Sequence, residues 1–224
     1  MKILDKTHTK SIRYAVLTFL ILILLEVIAY FGFLHTIPNF FVKYGLWILY
    51  LDISISTLAA SIHYMISYKS EAPCMTGMMV GMTVGMQIGM MLGAVVGATN
   101  GYFTGAMVGM ILGSIGGTIA GTISKSTMSW VQGLMSGIMG GTMGPMITVM
   151  MFTDHVQIFM PFYIILNVVL LIGLMKMYHE EIVHDNRDVV HDNVDLMTFV
   201  SACVILTAVL LIIMIYGPKS PLFA

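Results

Sequence analysis

Long apolar segments alternate with short polar connections along the chain, and seven of these segments are long enough to cross a bilayer. A membrane-spanning helix needs about 20 consecutive and mostly apolar residues. The segments cover residues 12–34, 44–68, 74–98, 102–124, 127–152, 158–178 and 196–216. This pattern predicts an all-α fold, a polytopic bundle of about seven transmembrane helices that forms one membrane domain over residues 1–224.

The composition agrees with a protein of the cell membrane. Hydrophobic residues make up 58% of the chain and charged residues 9%, whereas soluble chains carry about 25% charged residues. The 10 basic and 11 acidic residues give no positive surplus that would attract nucleic acid, so the lipid bilayer is the expected partner. The sequence has no phosphate-binding loop, nucleophile elbow or Cys-x-x-Cys motif, and we therefore do not expect an enzyme.

The distribution of basic residues favours a cytoplasmic N-terminus, because cytoplasmic loops are enriched in Lys and Arg. With this orientation the inner side receives Lys2, Lys6, Lys10, Arg13, Lys69, Lys125, Lys176 and Arg187, and the outer side Lys43 and Lys219. The weakest boundary lies at residues 98–101, where one helix over 74–124 is the alternative. At about 1.5 Å per residue that helix would greatly exceed the bilayer thickness, so we favour a hairpin.

Glycine occurs at every fourth position from 77 to 121 and again from 133 to 141. Residues four apart share a helix face, so spans three to five each carry a groove where backbones approach closely, as in a glycine zipper. The predicted packing residues are Gly77, Gly81, Gly85, Gly89, Gly93, Gly97, Gly105, Gly109, Gly113, Gly117, Gly121, Gly133, Gly137 and Gly141. The groove winds around its helix, so it requires several partner helices or further copies in a homo-oligomer.

Most of the 23 methionines lie in this glycine-rich stretch and form stripes at helical spacing. Thioether sulfur is a good ligand for soft Cu(I) or Ag(I) and a poor one for hard cations. The candidate metal ligands are Met75, Met78, Met82, Met86, Met90, Met135, Met139, Met143 and Cys74. The alternative is that methionine only fills gaps beside glycine.

The order of these motifs resembles the signature of the Ctr copper transporters, in which MxxxM on one span precedes GxxxG on the next. Met78–Met82 and Met86–Met90 match the first motif, and Gly105–Gly109 or Gly109–Gly113 the second. The resemblance implies Cu(I) passing between methionines on glycine-packed helices, without implying the Ctr fold or trimer. We therefore predict a protein that binds or transports Cu(I) or Ag(I), with a metallochaperone as a candidate partner. The alternative is a glycine-packed scaffold or oligomeric subunit without metal.

Two acidic residues interrupt the first two spans. Glu26 and Asp52 each lie about 12 Å from the outer end of their span by helical rise, and charged residues at such depth are costly and often functional. Two neighbouring carboxyl groups share a proton or hold a cation, which gives a third hypothesis, a proton- or cation-coupled carrier. Alternatively, each acid is protonated or paired with Tyr or Ser.

The last inner loop, residues 178–195, is rich in His and acids. Its candidate ligands for a second metal site, or for receiving ions from the pore, are His179, His184, His191 and Asp188. Helical periodicity would place His184 and His191 on one face, suited to a borderline divalent metal. The alternative is a solvated acidic extension of the sixth helix.

Overall fold

A computed structural model describes residues 2–32, 40–69, 73–124, 126–151, 155–183, 190–191 and 196–219. Almost all of these residues are helical, which confirms the all-α prediction. The helices are α1 (Lys2–Gly32), α2 (Phe40–Ser67), α3 (Cys74–Asn100), α4 (Tyr102–Gly121), α5 (Thr127–Met150), α6 (Val156–Tyr178) and α7 (Leu196–Tyr216). Two-residue strands β1 (Tyr68–Lys69) and β2 (Val190–His191) pair antiparallel.

Five helical segments in the described part of the chain are both long and apolar enough to cross a membrane. These segments are Tyr44–Ile66, Cys74–Asn100, Tyr102–Gly121, Val156–Glu181 and Met197–Tyr216. The apolar part of α1, Ala15–Ile28, is shorter. The fifth helix, α5, has 24 residues, but its many Gly, Ser and Thr residues make it less apolar.

Two boundaries differ from the sequence-based prediction. Helix α1 begins at Lys2, ten residues before the predicted apolar span, because hydropathy marks the segment suited to lipid and not the full extent of a helix. After α6 a π-helical turn covers His179–Val183, and His191 lies in β2. The prediction that His191 lies on a helical face is therefore wrong, while His184 lies outside the described residues.

Helices α3, α4 and α5 pack through their glycines. A Cβ atom built on Gly85 would lie 2.7 Å from the carbonyl oxygen of Gly133 and 3.0 Å from the Cα atom of Gly117. One level further along, a Cβ atom on Gly113 would lie 2.9 Å from the carbonyl oxygen of Gly137. Real Cβ atoms almost never approach other atoms closer than 3.0 Å. These backbone contacts therefore leave no room for a side chain.

The glycine contacts also define the direction of each helix. Gly81 of α3 faces Gly121 of α4, and further along α3 Gly97 faces Gly105, so α4 runs antiparallel to α3. Helix α5 runs parallel to α3, because contacts from α3 reach Ser129 first and Pro145 last. The remaining helices lie beside this three-helix core, with α2 contacting α1, α3, α6 and α7.

Candidate functional site

The methionine stripes of α3 and α5 border the same helix–helix contact. We call this surface the methionine seam and define it by Met82, Met86 and Met90 of α3 and Met139, Met143 and Met146 of α5. A Cβ atom on Gly140 would lie 2.9 Å from the Cα atom of Met86, and one on Gly144 would lie 2.8 Å from that of Met90. Met139 and Met143 directly precede these glycines in the sequence, so their side chains leave α5 about 100° around the helix from this contact and border it.

A side-chain contact crosses the seam near the N-terminal end of α3. The Nε2 atom of Gln132 on α5 donates to the Sδ atom of Met82 on α3 over 3.5 Å. Gln132 lies on the same side of α5 as Met139 and Met143, because seven and eleven residues are close to two and three turns. The contact brings a polar group of one helix to a sulfur of the other.

The seam lies on the outer surface of the protomer and not in its interior. Met82, Met139 and Met143 are 43%, 46% and 42% exposed, while Met86 and Met90 are half-buried. Other methionines of the chain, such as Met91 and Met160, are fully buried in the apolar core. The methionines of this fold therefore occur in two environments, buried in the apolar core or partly exposed along the methionine seam.

The remaining candidate metal ligands lie farther toward the start of α3 or α5. Met75 and Met135 are exposed and Met78 is half-buried. Cys74 is exposed, and its Sγ atom lies 3.1 Å from the Oγ atom of Ser126. These residues extend the seam toward the N-terminal ends of α3 and α5.

The acidic loop does not form a second metal site within the described residues. His179 is buried, and its Nδ1 atom is hydrogen-bonded to the hydroxyl group of Tyr64 at 2.8 Å. His184, Asp188 and the side chain of His191 lie outside the described residues. No group of three or more His, Cys, Asp and Glu side chains suited to a metal ion occurs in the described part of the chain.

The sequence-based interpretation missed the contacts that join the end of α2 and the start of α3 to the turn after α6. The hydroxyl group of Thr76 at the start of α3 donates to the Oε2 atom of Glu181 over 2.6 Å. The Tyr64–His179 contact similarly joins α2 to the turn after α6. The partners are more than 100 residues apart, so no local sequence signal could have indicated them.

The two acidic residues of the first spans are brought together. The side chains of Glu26 on α1 and Asp52 on α2 interact with each other. Asp52 is completely buried. The fold therefore contains two distinct polar features at membrane depth, a sulfur-rich seam on α3 and α5 and a carboxyl pair between α1 and α2.

Comparison with known proteins adds no family assignment, because no family model, curated protein or solved structure matches the chain. The class of protein is nevertheless clear from the fold. Five long apolar helices around closely packed glycine contacts are the architecture of an α-helical, multi-pass membrane protein.

Proposed function

We propose that this membrane protein binds Cu(I) or Ag(I) along the methionine seam and passes the ion from one thioether group to the next. The observation that carries this proposal is the position of two methionine stripes along a single contact between α3 and α5. A soft monovalent ion is bound well by neutral sulfur ligands. Neutral ligands also avoid the cost of placing carboxylates in the hydrocarbon region.

The packing of α3 supports the same proposal. The glycines that match the second Ctr-like motif, Gly109 and Gly113, face Gly89 and Gly85 on the helix that carries Met82, Met86 and Met90. Close backbone packing on one side of α3 leaves its methionine stripe beside α5. The glycine contacts thereby hold the two sulfur-bearing helices at a short and constant separation.

Replacement of Met82 and Met86 by Leu is expected to reduce Cu(I) binding to the purified protein at least about tenfold, a loss of roughly 1.4 kcal/mol. Leu has nearly the volume of Met but no sulfur ligand, so the fold should be retained. Binding is measured by competition with a Cu(I) chelator under reducing conditions. The matched control replaces Met107 and Met197, two exposed methionines on α4 and α7, and should bind as the unmodified protein does.

The second candidate is a scaffold or oligomeric subunit without metal, and the exposure of the seam favours it. Exposed methionines at such positions also suit packing against another copy of the chain. Equal Cu(I) binding by the M82L/M86L variant and the M107L/M197L control would reject the metal function. A loss of the oligomer in M82L/M86L at unchanged metal binding would then support the scaffold.

We further propose seven membrane spans with a cytoplasmic N-terminus. Helix α5 lies parallel to α3 from Ser129 to Pro145, so it crosses the same depth as α3 although it is less apolar. The apolar part of α1 lies against α2, which is itself long enough to span. Adding α1 and α5 to the five apolar segments gives seven, and the basic residues place the N-terminus inside.

This topology predicts that Cys74 faces the cytoplasm. A membrane-impermeant maleimide should label Cys74 in inside-out vesicles and leave it unlabelled in intact cells. Cys203, which is buried in α7, should stay unlabelled in both preparations. A C74S variant, which retains only Cys203, measures any labelling of that residue. Labelling of Cys74 from outside intact cells would reverse the proposed orientation.

A further inference from the structure

The carboxyl groups of Glu26 and Asp52 occupy one level of the α1–α2 contact. One turn before Glu26, Leu22 belongs to the apolar cluster that contains Ile55. One turn after Glu26, Tyr30 packs on the small cluster that contains Ile48. Since α1 and α2 run antiparallel, Asp52 lies between Ile48 and Ile55 at the level of Glu26. Mainly apolar residues therefore lie about one helical turn from the pair in both directions along α1 and α2.

The carboxyl group of Asp52 has no hydrogen-bond partner in the described part of the protein. It is 0% exposed, and neither of its oxygens, nor the buried Oε1 atom of Glu26, is hydrogen-bonded to another group there. Two ionised carboxylates side by side in an apolar site would repel each other strongly. At least one of the two groups must therefore carry a proton, or a cation must lie between them.

No basic side chain in the described part of the protein acts on the pair. The only titratable group among the described residues that acts on Glu26 is Asp52, and the reverse also holds. The other described titratable groups on the helices that pack around the pair are Arg13, Tyr30, Tyr44, Tyr50, His63, Tyr64, Cys74, Tyr163, Lys176, Tyr178, Cys203 and Tyr216. Lys176 is exposed, and its Nζ atom lies 4.0 Å from the Oε1 atom of Glu180. Lys219, after α7, lies over the ring of Tyr44, two turns along α2 from Asp52.

A proton fits this site better than a metal cation. Hard cations are bound by about six oxygen ligands, which exceeds the four oxygens of the two carboxyl groups. Leu22, Ile48 and Ile55 supply no further ligands. We propose that Glu26 and Asp52 form an exchangeable proton site in which one proton is shared between the two carboxyl groups. This site is independent of the proposed metal function.

Dicyclohexylcarbodiimide tests the site, because this apolar reagent enters membranes and reacts with protonated carboxyl groups. The carboxyl oxygen bonds to the carbodiimide carbon while the acid proton moves to a carbodiimide nitrogen. The O-acylisourea then rearranges to a stable N-acylurea, which retains every atom of both reactants. Labelling of the full-length protein in vesicles is located by peptide mass spectrometry.

We expect one N-acylurea group per chain, at Glu26 or Asp52, with labelling that decreases as the pH rises. Glu180, whose side chain is 68% exposed, serves as the internal control and should remain unlabelled. In the E26Q variant residue 26 can no longer carry or share an acid proton, so labelling should occur at Asp52 alone. The pH profile of this labelling should differ from that of the unmodified pair, because the second carboxyl group is gone.

Three results on the unmodified protein would overturn the proposal. They are labelling of both residues in the same chain, absence of labelling at both at low pH, and protection by Na⁺ or K⁺ at constant pH, which would indicate a cation site. If E26Q does not fold, D52N provides the reciprocal measurement on Glu26. An unchanged pH profile in a folded single variant would show that the two carboxyl groups act separately.

Discussion

Gly137→Ala is expected to destabilise the three-helix core of α3, α4 and α5 by about 3 kcal/mol or more. Gly173→Ala should be neutral or slightly stabilising. A Cβ atom on Gly137 would overlap the backbone of Gly113 and Ser114 on α4. Backbone atoms cannot rotate away as a side chain does, so the helices would have to separate. The close contacts of Gly85 and Gly133 at neighbouring levels would then be lost as well.

Gly173 provides a matched control within the same protein. It lies inside α6, and nothing lies within 4 Å of a Cβ atom built there. Alanine in a helix interior stabilises the fold by about 0.5–1 kcal/mol relative to glycine, because it loses less conformational freedom on folding. Thermal unfolding in detergent, followed by circular dichroism, measures both variants. Equal melting temperatures for G137A and G173A would show that α4 and α5 do not touch at this level.

Much of the helical architecture was predictable, because a strict four-residue period defines a helix face without any knowledge of its partner. Such a period can be read from the sequence alone. The glycines of this period within α3 and α4 lie at contacts in the three-helix core, while Gly101 lies between the two helices. Apolar length similarly predicted the spans that the structure shows as five long helices.

The environment of each methionine was less predictable, because it depends on which other helices pack beside the helix that carries it. Met90 and Met91 are adjacent in sequence, yet the first is half-buried at the seam and the second is buried in the apolar core. A step of one residue turns the side chain by about 100°. Whether the new direction meets lipid or another helix is decided by the position of α5, α2 or α6, which local spacing does not encode.

The acid pair lies between these two cases. Equal helical depth of Glu26 and Asp52 followed from their distances to the segment ends. Their contact required that α1 and α2 also turn these faces toward each other, which apolar partners such as Leu22 and Ile55 determine. The turn around His179 and the pairing of β1 with β2 had no local signal, so helical periodicity did not predict that His191 lies in a strand.

Gly101→Ala is expected to destabilise the protein by about 1–3 kcal/mol, because Gly101 has a backbone conformation that is essentially restricted to glycine. It separates α3 from α4 with φ 105° and ψ 171°, and its N–H group donates to the carbonyl oxygen of Gly97 over 2.9 Å. Asn100 stabilises the same turn, since its Nδ2 atom donates to the carbonyl oxygen of Ile213 over 2.9 Å.

The sign of this effect distinguishes the hairpin from the alternative of one continuous helix over residues 74–124. In a continuous helix Gly101 would be an interior helical residue, and alanine would raise the stability by about 0.5–1 kcal/mol. In the hairpin a Cβ atom at positive φ and extended ψ strains the chain at the point where it reverses direction. The melting temperature of G101A should therefore fall below that of the unmodified protein, and a melting temperature at or above that of G173A would contradict the hairpin.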